Sequence, residues 1–206
     1  MPTLYKYQPR HVKSCGIMGG LKNRKEPMDT REKIEEIVKK HGVDDFKWID
    51  PNNIVVEQWV RMKCMYGCNE YGRTATCPPN VPSIEECERF FKEYTSAIVI
   101  HYEKSVAKPE DRHNWTKGIN SQLLELEREI FISGHRKTFL IFLDSCCFCD
   151  GCPGKLEKCK DPQRARPTPE SLGVDVYATV RKIGYYIEVL SDYSQAMNRY
   201  AFLLIE

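Results

Sequence analysis

The spacing of apolar residues along the chain changes several times between a helical and an extended period. Ser83 with Glu86 has the spacing of a capping box, which marks a helix N-terminus, and so has Asp29 with Glu32. Apolar residues three or four positions apart follow both signals and recur in two later segments. The pattern predicts four helices, at 29–42, 83–94, 114–134 and 168–184.

Continuous runs rich in β-branched and aromatic residues separate or follow these helices and indicate strands. Five strands are predicted, at 53–61, 96–102, 138–143, 186–190 and 201–205. Since strands alternate with helices, we expect an α/β fold in which helices pack on a mixed sheet of parallel and antiparallel strands. Residues 1–28 lack a clear pattern and are predicted to be an irregular segment before a single α/β domain at 29–206.

Composition narrows the class of protein. A chain of 206 residues with 41% apolar residues corresponds to one domain that buries a sizeable core. The net charge of +2 does not call for a nucleic-acid partner, and no nucleic-acid-binding motif stands out. Residues 1–13 contain no apolar signal segment, and no apolar run is long enough to span a bilayer. We therefore expect a cytoplasmic protein in a reducing environment.

Four of the ten cysteines form one tightly spaced run. Cys146, Cys149 and Cys152 repeat at two-residue gaps, and Cys159 follows after six residues. In a chain without a secretion signal, this spacing favours metal ligands over disulfides. Bacterial-type ferredoxins open with the same C-x2-C-x2-C run, so the four thiolates predict a 4Fe–4S cluster. Thiolate cages also hold zinc, which stays the alternative metal.

A second group of cysteines, Cys64, Cys68 and Cys77, lies in a loop rich in Gly and Tyr. Three thiolate ligands leave one position of a metal centre open, as in sites that bind substrate. Cys87 or Cys15 is available as a fourth ligand, and we count Cys87 among the candidate ligands. Cys87 also shares a predicted helix face with apolar residues, so a buried packing position is an equal alternative.

Three stretches of the chain resemble one known family. They are WVRMKCMYGCNEYGRTATCPP, SIEECERFFKEY, and the four-cysteine loop that continues into DPQRARPTPESLGVDVYATV. Over roughly 59–190 they are similar to the predicted metal-binding proteins of domain of unknown function 2284. The resemblance implies a metal-binding protein of a family found mostly in anaerobic bacteria and archaea, without a settled reaction.

Two functions from different classes fit these cysteine-rich loops. The first is an iron–sulfur protein with one or two 4Fe–4S clusters, acting in electron transfer or as a redox or sulfur-chemistry enzyme with an open cluster site. The second is a structural zinc-binding interaction module without redox activity. The repeated two-residue gaps favour the first, because zinc sites usually use well-separated pairs of ligands.

Positive charge around the four-cysteine loop indicates which kind of redox partner protein the chain could bind. Arg164 and Arg166 follow the loop, which itself carries three lysines. This excess of positive charge suits an acidic redox partner protein. Catalytic residues, the oligomeric state and whether the two groups of cysteines meet in space stay open at this point.

Overall fold

The computed structural model describes residues 30–106, 108, 111–192 and 195–206. Within these residues the helices are α1 (Thr30–Lys40), α2 (Gln58–Gly67), α3 (Ile84–Phe91), α4 (Asp111–Ile132) and α5 (Val176–Lys182). The strands are β1 (Phe46–Ile49), β2 (Ser96–Lys104), β3 (Phe139–Ile141) and β4 (Met197–Ile205). The predicted irregular segment at 1–28, Cys15 and the capping residue Asp29 lie outside the described residues.

The four strands form one sheet in the order β1-β2-β4-β3. Apolar side chains cover both of its faces. Ala97 and Val99 of β2 belong to a core shared with α3 and α5, whereas Ile98 and Ile100 belong to a core shared with α1 and α4. All four side chains are fully buried. The expected α/β fold with helices packed on a sheet is confirmed, and both faces of its central strands are buried.

The strand directions differ from our expectation of a mixed sheet, because all three described pairings are antiparallel. The strand predicted at 53–61 is wrong, since α2 begins at Gln58 and the preceding residues form only an isolated bridge between Val56 and Val174. The strand predicted at 186–190 is not formed either, and its Tyr186 and Val189 are exposed. With these two segments absent from the sheet and β1 added, neighbouring strands of the described part of the chain are all antiparallel.

The predicted helix at 168–184 is divided in two by Gly173. A single 3₁₀ turn spans Glu170–Leu172, and Gly173 then adopts a φ of 81° that ends it. Asp175 caps α5, its side chain accepting a hydrogen bond from the Ala178 backbone N–H. This break places the short Glu170 turn beside α2, where the Arg61 guanidinium donates to the Ser171 carbonyl oxygen.

Glu127 of α4 links β3 to the chain that returns from the four-cysteine loop. Its carboxylate accepts a hydrogen bond from the Leu140 backbone N–H at 2.7 Å and pairs with the Arg166 guanidinium at 2.8 Å. The Phe142 backbone N–H donates to the Pro167 carbonyl oxygen at 2.8 Å. Segment 165–167 therefore runs along the outer side of β3.

None of the helices in the described part of the chain combines the length and apolar character that crossing a bilayer requires.

Gly173→Ala is expected to lower the free energy of unfolding by about 2–4 kcal/mol, from strain at positive φ and from overpacking. A Cβ at position 173 would lie 2.4 Å from Cδ1 of Ile84, whose side chain is buried. Gly184→Ala is the matched control, because Gly184 has a φ of 78° but a Cβ there meets only the flexible end of Lys47, at 3.7 Å. Anaerobic urea unfolding should show a clearly larger loss for Gly173→Ala, and equal losses would contradict the close contact.

Candidate metal centres

The loop after β3 brings the four thiols of the cysteine run to one pocket. Cys146, Cys149, Cys152 and Cys159 all line it. Desolvation is the largest cause that raises the pKa of Cys146, a backbone hydrogen bond from Phe148 lowers it, and the charges of the other three thiols raise it further. The four sulfurs are therefore near enough to influence one another electrostatically. We call this space the four-thiol pocket.

The two cysteine-rich loops pack directly against each other. Gly154 has a φ of 70°, and a Cβ there would lie 3.0 Å from the Gly72 carbonyl oxygen, so the close approach requires glycine. The Asn80 side-chain amide donates to the Gly154 carbonyl oxygen at 2.8 Å. The Ala75 backbone N–H donates to Cys152 Sγ at 3.2 Å. A hydrogen bond of this kind, from one loop to a sulfur of the other, tunes a thiolate ligand.

The first cysteine loop forms a second pocket, which Cys64, Cys68 and Cys77 line together. Cys64 lies in the last turn of α2, and Cys68 follows the end of that helix. Burial is the largest cause that raises the pKa of Cys77 to about 11; a hydrogen bond with Thr74 lowers it, and the charges of Cys68 and Cys64 raise it. Because a thiol must lose its proton to bind metal, ligation at Cys77 must displace a firmly held proton. We call this space the three-thiol pocket.

Charged side chains surround the three thiols. Arg112 Nε lies 2.8 Å from Asp144 Oδ2, and Glu70, Glu170 and Arg199 also line the pocket. Glu170 is an exposed residue that lines this pocket. Desolvation is the largest cause that raises the pKa of Glu170; its own backbone N–H and then the positive charge of Arg199 act in the opposite direction.

Two backbone segments form the wall between the two pockets. Thr76 lines the four-thiol pocket, and the next residue, Cys77, lines the three-thiol pocket. Ser145 likewise lines the three-thiol pocket, and the next residue, Cys146, lines the four-thiol pocket. The two groups of cysteines therefore line adjacent pockets that share walls. This answers the question, left open by their spacing, of whether they meet in space.

Two further cysteines line neither of these pockets. Cys87 of α3 is buried in the apolar core, and its thiol lies 3.7 Å from the Pro82 carbonyl oxygen. Cys147 points away from its neighbour Cys146, with its thiol 3.8 Å from the His113 carbonyl oxygen. The structure therefore places Cys87 apart from the three thiols that it was expected to join as a candidate ligand.

The charged residues of the three-thiol pocket were not identified from the sequence. Arg112, Asp144, Glu170 and Arg199 come from four distant parts of the chain. Glu170 lies within one of the stretches that resemble the family, yet nothing in its local spacing indicated that it lines the same pocket as Cys64. Such a set becomes visible only when the fold brings the segments together.

Thiols dominate the donor set of the four-thiol pocket, whereas three thiols and three carboxylates line the three-thiol pocket. Among the described residues, no three His, Cys, Asp or Glu side chains are grouped as ligands of a single metal ion. The chemistry of the donors fits a thiolate-ligated metal or iron–sulfur centre, because soft sulfur ligands select zinc, Cu(I) and iron–sulfur cores.

Comparison with known proteins adds one finding. A family model described as "Predicted metal-binding protein (DUF2284)" matches residues 47–205. The matched range includes every cysteine of the two pockets. No curated protein and no solved structure matches the chain.

Proposed function

Because the chain belongs to the DUF2284 family of predicted metal-binding proteins, we propose that it is an iron–sulfur protein. Its first centre is a 4Fe–4S cluster held by Cys146, Cys149, Cys152 and Cys159. The observation that supports this assignment best is that all four thiols line one pocket. The N–H donated to Cys152 Sγ by the other loop is a second support, since such hydrogen bonds are a means of tuning cluster potential.

The second centre is proposed in the three-thiol pocket, with Cys64, Cys68 and Cys77 as ligands. Two adjacent clusters supply one-electron redox chemistry at the potentials that iron–sulfur centres span. The shared walls at Thr76-Cys77 and Ser145-Cys146 keep the two pockets close, which suits electron transfer between them. A centre with three protein thiolates also leaves a position for a further ligand, and this is the feature of an enzyme site.

The chain supplies positive charge near the first centre. The Arg164 guanidinium lies 4.6 Å from the centroid of the Phe148 ring, and the charges of Cys149 and Cys146 contribute to raising the pKa of Arg164, after its hydrogen bond with Asp161. Positive charge beside a cluster favours its reduced form and raises its potential. It also suits an acidic redox partner in an oxygen-poor cytoplasm, which we propose as the setting.

Iron, zinc and acid-labile sulfide analysis of protein purified without oxygen tests the proposal. We expect a brown protein with a broad visible absorbance band and about eight irons and eight sulfides per chain, as two 4Fe–4S clusters require. About four irons would restrict the proposal to the four-thiol pocket. A colourless protein that holds zinc would contradict it and support a structural zinc-binding module.

A further inference from the structure

We propose that Glu170 completes the three-thiol centre as its fourth, carboxylate ligand. This inference rests on the proposed function, because it assumes a cluster held by Cys64, Cys68 and Cys77. It assigns an oxygen ligand to one iron of that cluster and thiolates to the others. A carboxylate is a harder ligand than a thiolate and suits an iron–sulfur core less well, so the iron that it holds is the most easily exchanged.

The position of Glu170 supports this role. The carbonyl oxygen of Glu170 lies 4.0 Å from Cys64 Sγ. Glu170 and the three thiols line the same pocket. The Glu170 turn therefore lies directly beside Cys64.

Glu170 also stands at the boundary between two spaces. An apolar groove lined by Trp59, Tyr177 and other residues adjoins the three-thiol pocket. Cys64, Cys68 and Glu170 are the residues that line both spaces. A carboxylate at this boundary would contact the metal in the three-thiol pocket and, on its other side, a molecule that enters through the apolar groove.

The turn that carries Glu170 is firmly fixed. Thr168 and Ser171 exchange hydrogen bonds from backbone N–H to side-chain oxygen, at 3.0 and 3.1 Å, and both residues are buried. The Arg61 guanidinium donates to the Ser171 carbonyl oxygen at 3.0 Å. Arg61 precedes Cys64 by one helical turn on α2. The same helix therefore holds a candidate thiolate and the turn that presents Glu170.

The other two carboxylates of the pocket are less suited to the role. Asp144 is paired with Arg112 at 2.8 Å. Glu70 belongs to the turn between Cys68 and Cys77, whereas Glu170 lies on the turn that hydrogen bonds of Thr168, Ser171 and Arg61 hold in place. Within the described residues, Glu170 forms no ion pair closer than 4 Å. Glu170 is thus the carboxylate of this pocket that combines a fixed backbone with the absence of a described ion pair.

Glu170→Ala, Glu170→Cys and the control Glu70→Gln test the assignment by mild oxidation with ferricyanide. The oxidant accepts one electron, and an iron without a protein ligand leaves as Fe²⁺, so that a 4Fe–4S centre becomes a 3Fe–4S centre. We expect Glu170→Ala to lose about one iron per chain and to gain the EPR signal of an oxidised 3Fe–4S centre. Glu170→Cys supplies a fourth thiolate and should hold this iron at least as well as the unaltered protein.

The outcomes separate this inference from the proposed function. Glu70→Gln should keep the iron that Glu170→Ala loses, and the retained four-thiol cluster reports that Glu170→Ala is folded. If the unaltered protein holds both clusters and Glu170→Ala resists ferricyanide equally, Glu170 is not a ligand and the proposed function stands. Loss of the same iron from Glu170→Cys as from Glu170→Ala would also overturn the assignment, because a thiolate at this position should hold it. A protein without iron would instead reject the proposed function itself.

Discussion

Cys149→Ser is expected to remove the cluster of the four-thiol pocket and to lower iron content from about eight to about four per chain. The serine hydroxyl is a hard oxygen donor that ionises far less readily than a thiol, so it does not replace a thiolate on a soft metal core. Cys149 faces the same space as its three partner cysteines, and no other thiol of the described residues lines this pocket. Iron and sulfide analysis with the visible spectrum, on protein purified without oxygen, measures the effect.

Cys147→Ser is the matched control for this substitution. It makes the same chemical change two residues away, at a thiol that lies near the His113 carbonyl oxygen and lines neither pocket. Iron content and absorbance should stay within error of the unaltered protein. If both variants lose the cluster equally, the loop rather than the Cys149 thiolate limits cluster binding. If absorbance is absent throughout and Cys149→Ser instead loses zinc, the zinc module replaces the iron–sulfur protein.

Arg166→Met is expected to lower the free energy of unfolding by about 3–5 kcal/mol, because removing one partner of a buried ion pair leaves an uncompensated charge. The side chains of Arg166 and Glu127 are only 19% and 10% exposed, and the guanidinium contacts the carboxylate through two nitrogens. After the substitution, the Leu140 backbone N–H would be the one described donor left to Glu127. Anaerobic urea unfolding followed by circular dichroism gives the difference.

Two further variants decide whether the charge pair is the cause. Arg136→Met removes an arginine that is 83% exposed and 4.0 Å from Glu206, so stability should change by less than about 0.5 kcal/mol. Glu127→Gln combined with Arg166→Met removes both charges and should be less destabilised than the sum of the two single changes. Strict additivity would show that Arg166 stabilises the fold through packing instead, for example over the Phe139 ring.

The elements that the sequence predicted well are those whose apolar pattern matches the burial of their side chains in the fold. β2 was expected at 96–102 and spans Ser96–Lys104, and α4 was expected at 114–134 and spans Asp111–Ile132. In β2 the apolar run is continuous because its alternate residues enter the two separate cores. Such a run is typical of a strand covered on both faces. Local pattern and tertiary burial agree there, so the prediction succeeds.

The incorrect predictions concern segments whose local pattern disagrees with their surroundings. The residues at 53–61 have strand propensity, but no strand lies beside Val60, and α2 forms instead. Conversely, β1 is short and contains Lys47 between aromatic residues, so its pattern was too weak to predict a strand. Pairing with β2 stabilises it, at Phe46 with Ile100 for example. Strand propensity largely reflects such neighbours, and a single sequence does not contain them.

In the candidate site, too, local spacing predicted some features, and long-range contacts determine the others. The four cysteines at 146–159 lie in one loop, so their spacing alone indicates a common centre. The contact between Gly154 and Gly72, by contrast, joins residues more than eighty positions apart. Glu170 depends on a similar long-range arrangement, since α2 and the 3₁₀ turn meet through Arg61. Spacing identifies ligands within a loop, and only the fold shows which side chains the loop faces.

The hydrogen bonds along the outer side of β3 have a consequence for self-association. β3 ends the sheet, and an edge strand with free N–H groups is a template on which another chain can add a strand. Here the outward N–H groups of Leu140 and Phe142 are already bound, by the Glu127 carboxylate and the Pro167 carbonyl oxygen. This edge is therefore closed to aggregation by strand addition. Both acceptors belong to the protein itself, so this protection does not depend on metal in the cysteine loops.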